Sequence, residues 1–263
     1  DVLGSRGLGD VYKRQITIFV MDRVKTEAYS AIARQLLKRE ELHAEQVGFV
    51  ETKEGQGMHM QMMGGEFCGN ATRSFGYLLS MLSKDKPKEV MVDVSGSEKV
   101  LKAEVDLEEG TSRVEMPVPL EIKEIHLGEE GVYPVVVFEG ICHMIVESEP
   151  RDQEFVNRLM KKAEQICPCD AYGVMFLQGK NMVPVVYVKE TDSMVWESSC
   201  GSGSMGAAVY LSQAKENGWY ICELHQPGGV IEVSVCREQG KVTACKMGGP
   251  VTISEEMKVE VNI

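Results

Sequence analysis

Hydrophobic and polar positions alternate in short stretches along most of the chain, as expected for β-strands that bury one face. Residues 16–21 begin the series with a run rich in β-branched and aromatic side chains. The same pattern predicts further strands at 46–51, 58–63, 89–93, 100–106, 113–116, 133–139, 143–146, 174–178, 183–189, 219–224, 230–235 and 241–247. The chain is therefore predicted to consist mainly of sheet.

Four segments with helical spacing of apolar residues interrupt the strands. Residues 25–40 and 153–166 each have one apolar face, and Thr26 and Asp152 are candidate N-caps. Residues 70–82 and 202–217 carry few charges, which indicates helices that are buried on nearly all sides. Many strands with a few helices predict an α+β fold.

The two apolar helices begin alike, about half the chain apart. Each follows a cysteine and small residues, in Cys68-Gly69-Asn70-Ala71 and Cys200-Gly201-Ser202-Gly203. An acid precedes each cysteine, and each helix contains a later Leu-Ser pair. This repetition predicts an internal duplication into two halves, joined near residues 117–119.

A cysteine at a helix start has a specific chemistry. The unpaired N–H groups and the positive end of the helix dipole predict a lowered thiol pKa and a carboxylate-binding position beside it. Two such thiols around one carboxylate could remove a proton from one face of the adjacent carbon and return one to the other face. The pair therefore predicts inversion of an α-carbon without a cofactor or metal. The alternative is that both cysteines only fill space in the core.

Charge and composition limit the classes of molecule that the protein is expected to bind. The chain has 28 Lys and Arg against 40 Asp and Glu, a net charge of −12, which disfavours nucleic acid. No apolar run is long enough to span a bilayer. Eight cysteines in 263 residues are too few for a disulfide scaffold, so we expect free thiols and a cytoplasmic location. The expected partner is a small molecule, an amino acid that serves as substrate.

The first fifteen residues lack a starting Met and any apolar period. We interpret residues 1–15 as a non-native leader and begin the fold prediction at residue 16.

Five segments carry a family resemblance: 45–49 (Glu-Gln-Val-Gly-Phe), 66–72 (Glu-Phe-Cys-Gly-Asn-Ala-Thr), 94–96 (Val-Ser-Gly), 196–203 (Trp-Glu-Ser-Ser-Cys-Gly-Ser-Gly) and 225–229 (His-Gln-Pro-Gly-Gly). Through them the chain resembles the diaminopimelate epimerase-like superfamily of cofactor-independent racemases and epimerases, over essentially everything from residue 16. Within that superfamily the motifs are most similar to the histidine racemases of staphylopine metallophore biosynthesis.

The resemblance implies two pseudo-symmetric domains, 16–117 with a returning segment 252–263, and 118–251. Each would be a curled, barrel-like antiparallel or mixed sheet around a central buried helix, with the site between them. Cys68 and Cys200 would be the catalytic acid and base. The implied substrate-binding residues are Gly69, Asn70, Gly201, Ser202, Glu197, Glu45 and Gln46. No cofactor or metal is implied, and a homodimer is compatible with the family.

Departures from the epimerase pattern concern the substrate. The polar residues that recognise a distal amino-acid head in the epimerases are replaced at 62–65 by Met-Met-Gly-Gly and at 141–143 by Ile-Cys-His. The acid Glu197 lies three residues before Cys200 rather than four, and Gln15 replaces an asparagine near the first strand. Trp196 and the methionine pair favour a flat side chain, so histidine is the predicted substrate. Diaminopimelate epimerisation remains one alternative, and a carboxylate-binding or redox-sensing protein remains another.

Overall fold

The computed structural model describes residues 2–9, 16–53, 57–189 and 192–261. The chain divides into two compact units, Asp1–Glu115 with Gly248–Ile263, and Met116–Met247. Over the described residues, each unit is mostly sheet with two α-helices, so the predicted α+β class is confirmed.

The strands within the described residues are β1 (Val2–Gly9), β2 (Ile16–Val20), β3 (Ala44–Lys53), β4 (Gly57–Met62), β5 (Glu89–Val94), β6 (Leu101–Asp106), β7 (Thr111–Met116), β8 (Glu121–His126), β9 (Val132–Val137), β10 (Ile141–Val146), β11 (Ala171–Gln178), β12 (Asn181–Val188), β13 (Ser193–Trp196), β14 (Gly218–Gln226), β15 (Gly229–Glu238), β16 (Lys241–Pro250) and β17 (Thr252–Glu260). The helices there are α1 (Tyr29–Leu37), α2 (Gly69–Leu82), α3 (Gln153–Ile166) and α4 (Gly201–Ser212), with short 3-10 helices at Thr26–Ala28, Glu40–Leu42 and Gly128–Glu130.

The first unit is a mixed sheet. Strands β2 and β3 run parallel, as do β4 and β5, whereas β3 pairs antiparallel with β4 and β5 with β6. Residues 2–9, which the sequence prediction left out of the fold, form β1 and pair antiparallel with β2 and β17. Gln15 lies outside the described residues, and the origin of the segment stays a prediction.

The second unit is also mixed. Its strands β8, β9 and β10 pair antiparallel in sequence, and β10 and β11 run parallel on either side of α3 in the chain. Strand β14 pairs antiparallel with β15 along its whole length. The sequence pattern missed β8 because only Ile125 of its six side chains is buried.

The structure tests the two predicted N-caps, Asp152 and Thr26. The Asp152 carboxylate accepts the Phe155 N–H at 2.8 Å and so caps α3 as predicted. The prediction for Thr26 is wrong, because this residue begins a 3-10 helix and α1 starts after Ala28. Helix α1 packs on β3, where the Tyr29 ring stacks on Phe49 at 3.8 Å between centroids.

The two apolar helices are buried as predicted. Helix α2 packs against β5 and β6 of its own unit, and α4 packs against β10, β11, β14 and β15 of its own unit. Helix α2 ends at Leu82 and α4 ends at Ser212, so the prediction that the second helix runs to residue 217 is too long.

Candidate active site

Cys68 and Cys200 occupy the same structural position in their units. Each is the N-cap of its buried helix, with φ and ψ of −127° and 107° at Cys68 and −135° and 112° at Cys200. The Cys68 sulfur accepts the Ala71 N–H at 3.4 Å, and the Cys200 sulfur accepts the Gly203 N–H at 3.4 Å. The predicted starts of both helices are therefore confirmed.

The first turns present backbone N–H groups beside each thiol. The predicted carboxylate-binding residues Gly69, Asn70, Gly201 and Ser202 are the first two residues of α2 and α4. An α-helix leaves its first N–H groups without a helical carbonyl partner, which makes this end suited to an anion. Each unit thus places a thiol directly beside such a position.

The Asn70 side chain is held by a buried arginine. Arg73 is 4% exposed and donates from Nη2 and Nε to Asn70 Oδ1 at 2.8 and 3.2 Å. It also donates to the Pro250 carbonyl at 2.9 Å. The arginine therefore fixes the first turn of α2, a role that a single charge in an apolar helix did not reveal in the sequence.

Gln46 lies beside Cys68, as the sequence resemblance implied. Its side-chain oxygen accepts the Cys68 thiol proton at 3.0 Å and the Thr17 hydroxyl proton at 3.4 Å. Glu45 is the extra residue of a β-bulge, since Ile16 pairs with Ala44 and Thr17 with Gln46. Bulges often re-aim side chains next to a functional site.

Glu197 lies beside Cys200 and makes a side-chain contact with its thiol. Its own N–H donates to the Pro184 carbonyl at 3.0 Å, which ties the segment before the cysteine to β12. The Ser202 hydroxyl lies 3.6 Å from the Cys200 sulfur. Of the predicted residues in the second unit, Glu197, Cys200 and Ser202 are thus brought together.

The expected lowering of the two thiol pKa values is wrong. Burial raises the pKa of the Cys68 thiol more than the Ala71 N–H and Gln46 lower it. Burial raises the pKa of the Cys200 thiol, and the neighbouring Glu197 charge raises it further, against the smaller effects of Ser202 and Gly203. Desolvation of a thiolate outweighs the helix-end donors, so both groups rest as thiols at neutral pH.

This reversal predicts the pH dependence of thiol reactivity. We expect the rates at which iodoacetamide alkylates Cys68 and Cys200 to keep rising above pH 8.5, the ordinary pKa of a cysteine. The rates are measured for each cysteine by peptide mass spectrometry in the absence of substrate. A plateau below pH 7.5 for either thiol would contradict the raised pKa.

Other residues considered in the sequence lie in the core or at its edge. His143 is fully buried, burial lowers its pKa to about 3, and neither ring nitrogen has a hydrogen-bond partner among the described residues. Trp196 stacks on Phe176 with 5.9 Å between centroids and donates to Gln153 at 3.2 Å. Trp196 is 42% exposed as a whole residue and lies one residue before Glu197.

Two residues of the quoted motifs have contacts that the sequence did not predict. The Ser95 hydroxyl accepts the Met62 N–H and donates to the Glu66 carbonyl, both at 2.9 Å. Gln226 accepts the Cys200 N–H at 2.8 Å. Both motifs therefore hold the backbone at or just before a cysteine. In the sequence, only the family resemblance pointed to these two residues.

Comparisons with known proteins agree with the motifs. The sequence model of the family described as "Histidine racemase CntK N-terminal domain" matches residues 13–259. A histidine racemase from Fusobacterium nucleatum is 35% identical over 241 residues, covering 88% of this chain and 86% of the relative. A histidine racemase from Staphylococcus aureus is 28% identical over 251 residues and covers 90% of each chain.

A solved structure has a similar fold. A predicted epimerase from Pseudomonas aeruginosa superposes with a TM-score of 0.66 over 100% of both chains at 13% identity. At that identity the similarity concerns the fold alone.

Among the described residues, no helix combines the length and hydrophobicity needed to cross a membrane.

Proposed function

The chain belongs to the histidine racemase family, and we propose that it interconverts L- and D-histidine at the α-carbon without a cofactor. The observation that carries this proposal is the matched placement of Cys68 and Cys200 as N-caps of buried helices. Isomerase chemistry follows from membership of this family.

We propose that the two cysteines act as a pair on one substrate. One thiolate takes the α-proton from one face while the other thiol donates a proton to the opposite face. The N–H groups of Gly69, Asn70, Gly201 and Ser202 would bind the α-carboxylate and stabilise the charge that develops on it. The thiol capping bonds from Ala71 and Gly203 support this arrangement, because they hold each sulfur at the helix end.

Because the thiol pKa values are raised, formation of the thiolate base requires an additional favourable charge, which the bound substrate can provide. Glu197 lies beside the Cys200 thiol and disfavours its ionisation. We propose that Glu197 accepts a hydrogen bond from the α-ammonium group of the amino acid. The bound cation would offset the carboxylate charge and favour the thiolate, so that the base forms when substrate is present.

The wider architecture is proposed on the same basis. We propose two pseudo-symmetric domains, each a curled sheet around its central helix, which the burial of α2 and α4 against strands of their own units supports. The eight cysteines are all free, which supports a cytoplasmic location, and a homodimer remains the proposed assembly.

The substrate proposal is tested with purified protein and chiral chromatography. We expect L-histidine and D-histidine each to approach an equal mixture, and meso-diaminopimelate to remain unchanged, because the distal-head residues of the epimerases are replaced. Activity on diaminopimelate with none on histidine would favour the epimerase alternative. Binding of amino acids without any inversion would favour the carboxylate-binding alternative.

A further inference from the structure

Two buried side chains, Gln226 and Ser204, each hydrogen-bond the Cys200 backbone and are hydrogen-bonded to each other. The Cys200 N–H donates to Gln226 Oε1 at 2.8 Å, and Gln226 Nε2 donates to Ser204 Oγ at 2.9 Å. The Ser204 hydroxyl then donates to the Cys200 carbonyl at 2.6 Å. Gln226 is 9% exposed and Ser204 is fully buried, so water competes little for these bonds.

Helix α4 has no side chain at its third position that could accept the Cys200 N–H in the usual way. In a capping box, a Glu or Gln at the third helical position accepts the N-cap N–H. That position in α4 is Gly203, where a Cβ atom would lie 2.3 Å from Met175 Sδ and 3.2 Å from Cys200 Sγ. Met175 is fully buried, so a side chain at Gly203 would require Met175 to move, and Gln226 at the end of strand β14 accepts the N-cap N–H instead.

The turn after Gln226 contacts the same segment. The Gly228 N–H donates to the Ser198 carbonyl at 2.6 Å, and a Cβ at Gly228 would lie 2.9 Å from that oxygen. The end of β14 and its turn therefore hold the backbone from Ser198 to Cys200 by two independent bonds. In the first unit the glutamine beside the cysteine, Gln46, accepts instead from the thiol.

We propose that Gln226 is a positioning residue for the Cys200 thiol, an inference that rests on the proposed racemase function. It fixes the N-cap backbone and thereby the direction in which the thiol leaves the helix end. It also supplies the Cys200 N–H with an acceptor inside the protein, where water competes little.

Two variants of Gln226 test the proposal in opposite directions. In Gln226→Met both hydrogen bonds are lost, and we expect iodoacetamide to alkylate Cys200 about 10-fold faster while kcat falls roughly 10- to 100-fold and KM changes little. In Gln226→Glu the Cys200 N–H keeps an acceptor, but the added charge disfavours the thiolate. We therefore expect slower alkylation of Cys200 and a kcat/KM profile displaced about one pH unit upward.

An internal reference, Cys68, and a separate control variant make the test specific. Cys68 is alkylated in the same molecules and should change by less than about twofold in both variants. Gln178→Met replaces an exposed glutamine at the end of β11 and should behave as the unmodified chain. Thermal unfolding of every variant shows whether the fold is retained.

Unchanged Cys200 alkylation and an unchanged pH profile in both Gln226 variants would overturn the proposal. Parallel changes at Cys68 and Cys200 with a lowered melting temperature would overturn it too, because they would indicate loss of the fold rather than of thiol position. If the unmodified chain inverts no amino acid, the proposed function fails, while the alkylation rates still decide the role of Gln226.

Discussion

Replacing Cys200 by serine is expected to reduce histidine racemisation by at least about 10³-fold, because a hydroxyl is a far weaker acid than a thiol and positioned acid–base groups contribute this much. The variant should nevertheless exchange the α-proton of one enantiomer with solvent, since Cys68 remains as a single base. Chiral chromatography measures inversion, and NMR in D₂O measures exchange.

A matched control comes from the same unit. Cys236 is buried in strand β15 at 9% exposure, and its replacement by serine should leave kcat within about threefold. Full racemisation by the Cys200→Ser variant would contradict the two-base mechanism. Equal losses in the Cys200 and Cys236 variants would assign the effect to packing.

The second large effect is expected at Gly96, in the turn after β5, which packs against the segment that precedes α2. Gly96 has φ of +69°, and a Cβ there would lie 2.2 Å from the Phe67 nitrogen and 2.7 Å from the Glu66 carbonyl carbon. Both obstacles are backbone atoms, so no side-chain rotation relieves them. We expect Gly96→Ala to lower the free energy of unfolding by about 3–5 kcal/mol and to displace Phe67 next to Cys68, with loss of activity.

A matched substitution at Gly110 distinguishes the cost of the steric clash from the cost of the positive φ angle. Its φ is +67°, nearly that of Gly96, but the nearest atom to a Cβ would be the Val251 oxygen at 3.8 Å. Gly110→Ala should therefore cost only about 1–2 kcal/mol in urea unfolding and retain kcat. Similar losses of stability in the two variants would show that the close approach to Phe67 has no energetic importance.

The sequence predicted the parts of the site that depend on local signals. The repeated Cys-Gly pattern located both helix starts, and the apolar character of the following residues predicted their burial. Asp152 was recognised as a cap because capping depends on neighbours within one turn. Thr26 carried the same local signal and failed, since the chain there forms a 3-10 turn before α1.

The remaining features depend on contacts between distant segments. The pKa of the cysteines could not be predicted from their helix position, because burial by the whole unit outweighs the helix-end donors. The contact between Gln226 and Cys200 joins residues 26 positions apart, and the space beside Gly203 is filled by Met175 of β11. These relations arise only when the sheet forms.

The central claim is that two different groups remove and return the α-proton, and isotope incorporation tests it most directly. When L-histidine is mixed with the protein in D₂O and sampled early, we expect the D-histidine formed to carry deuterium at the α-carbon while the remaining L-histidine keeps its proton. D-histidine that retains the original α-proton, or deuterium entering both enantiomers equally from the start, would contradict the two-base account.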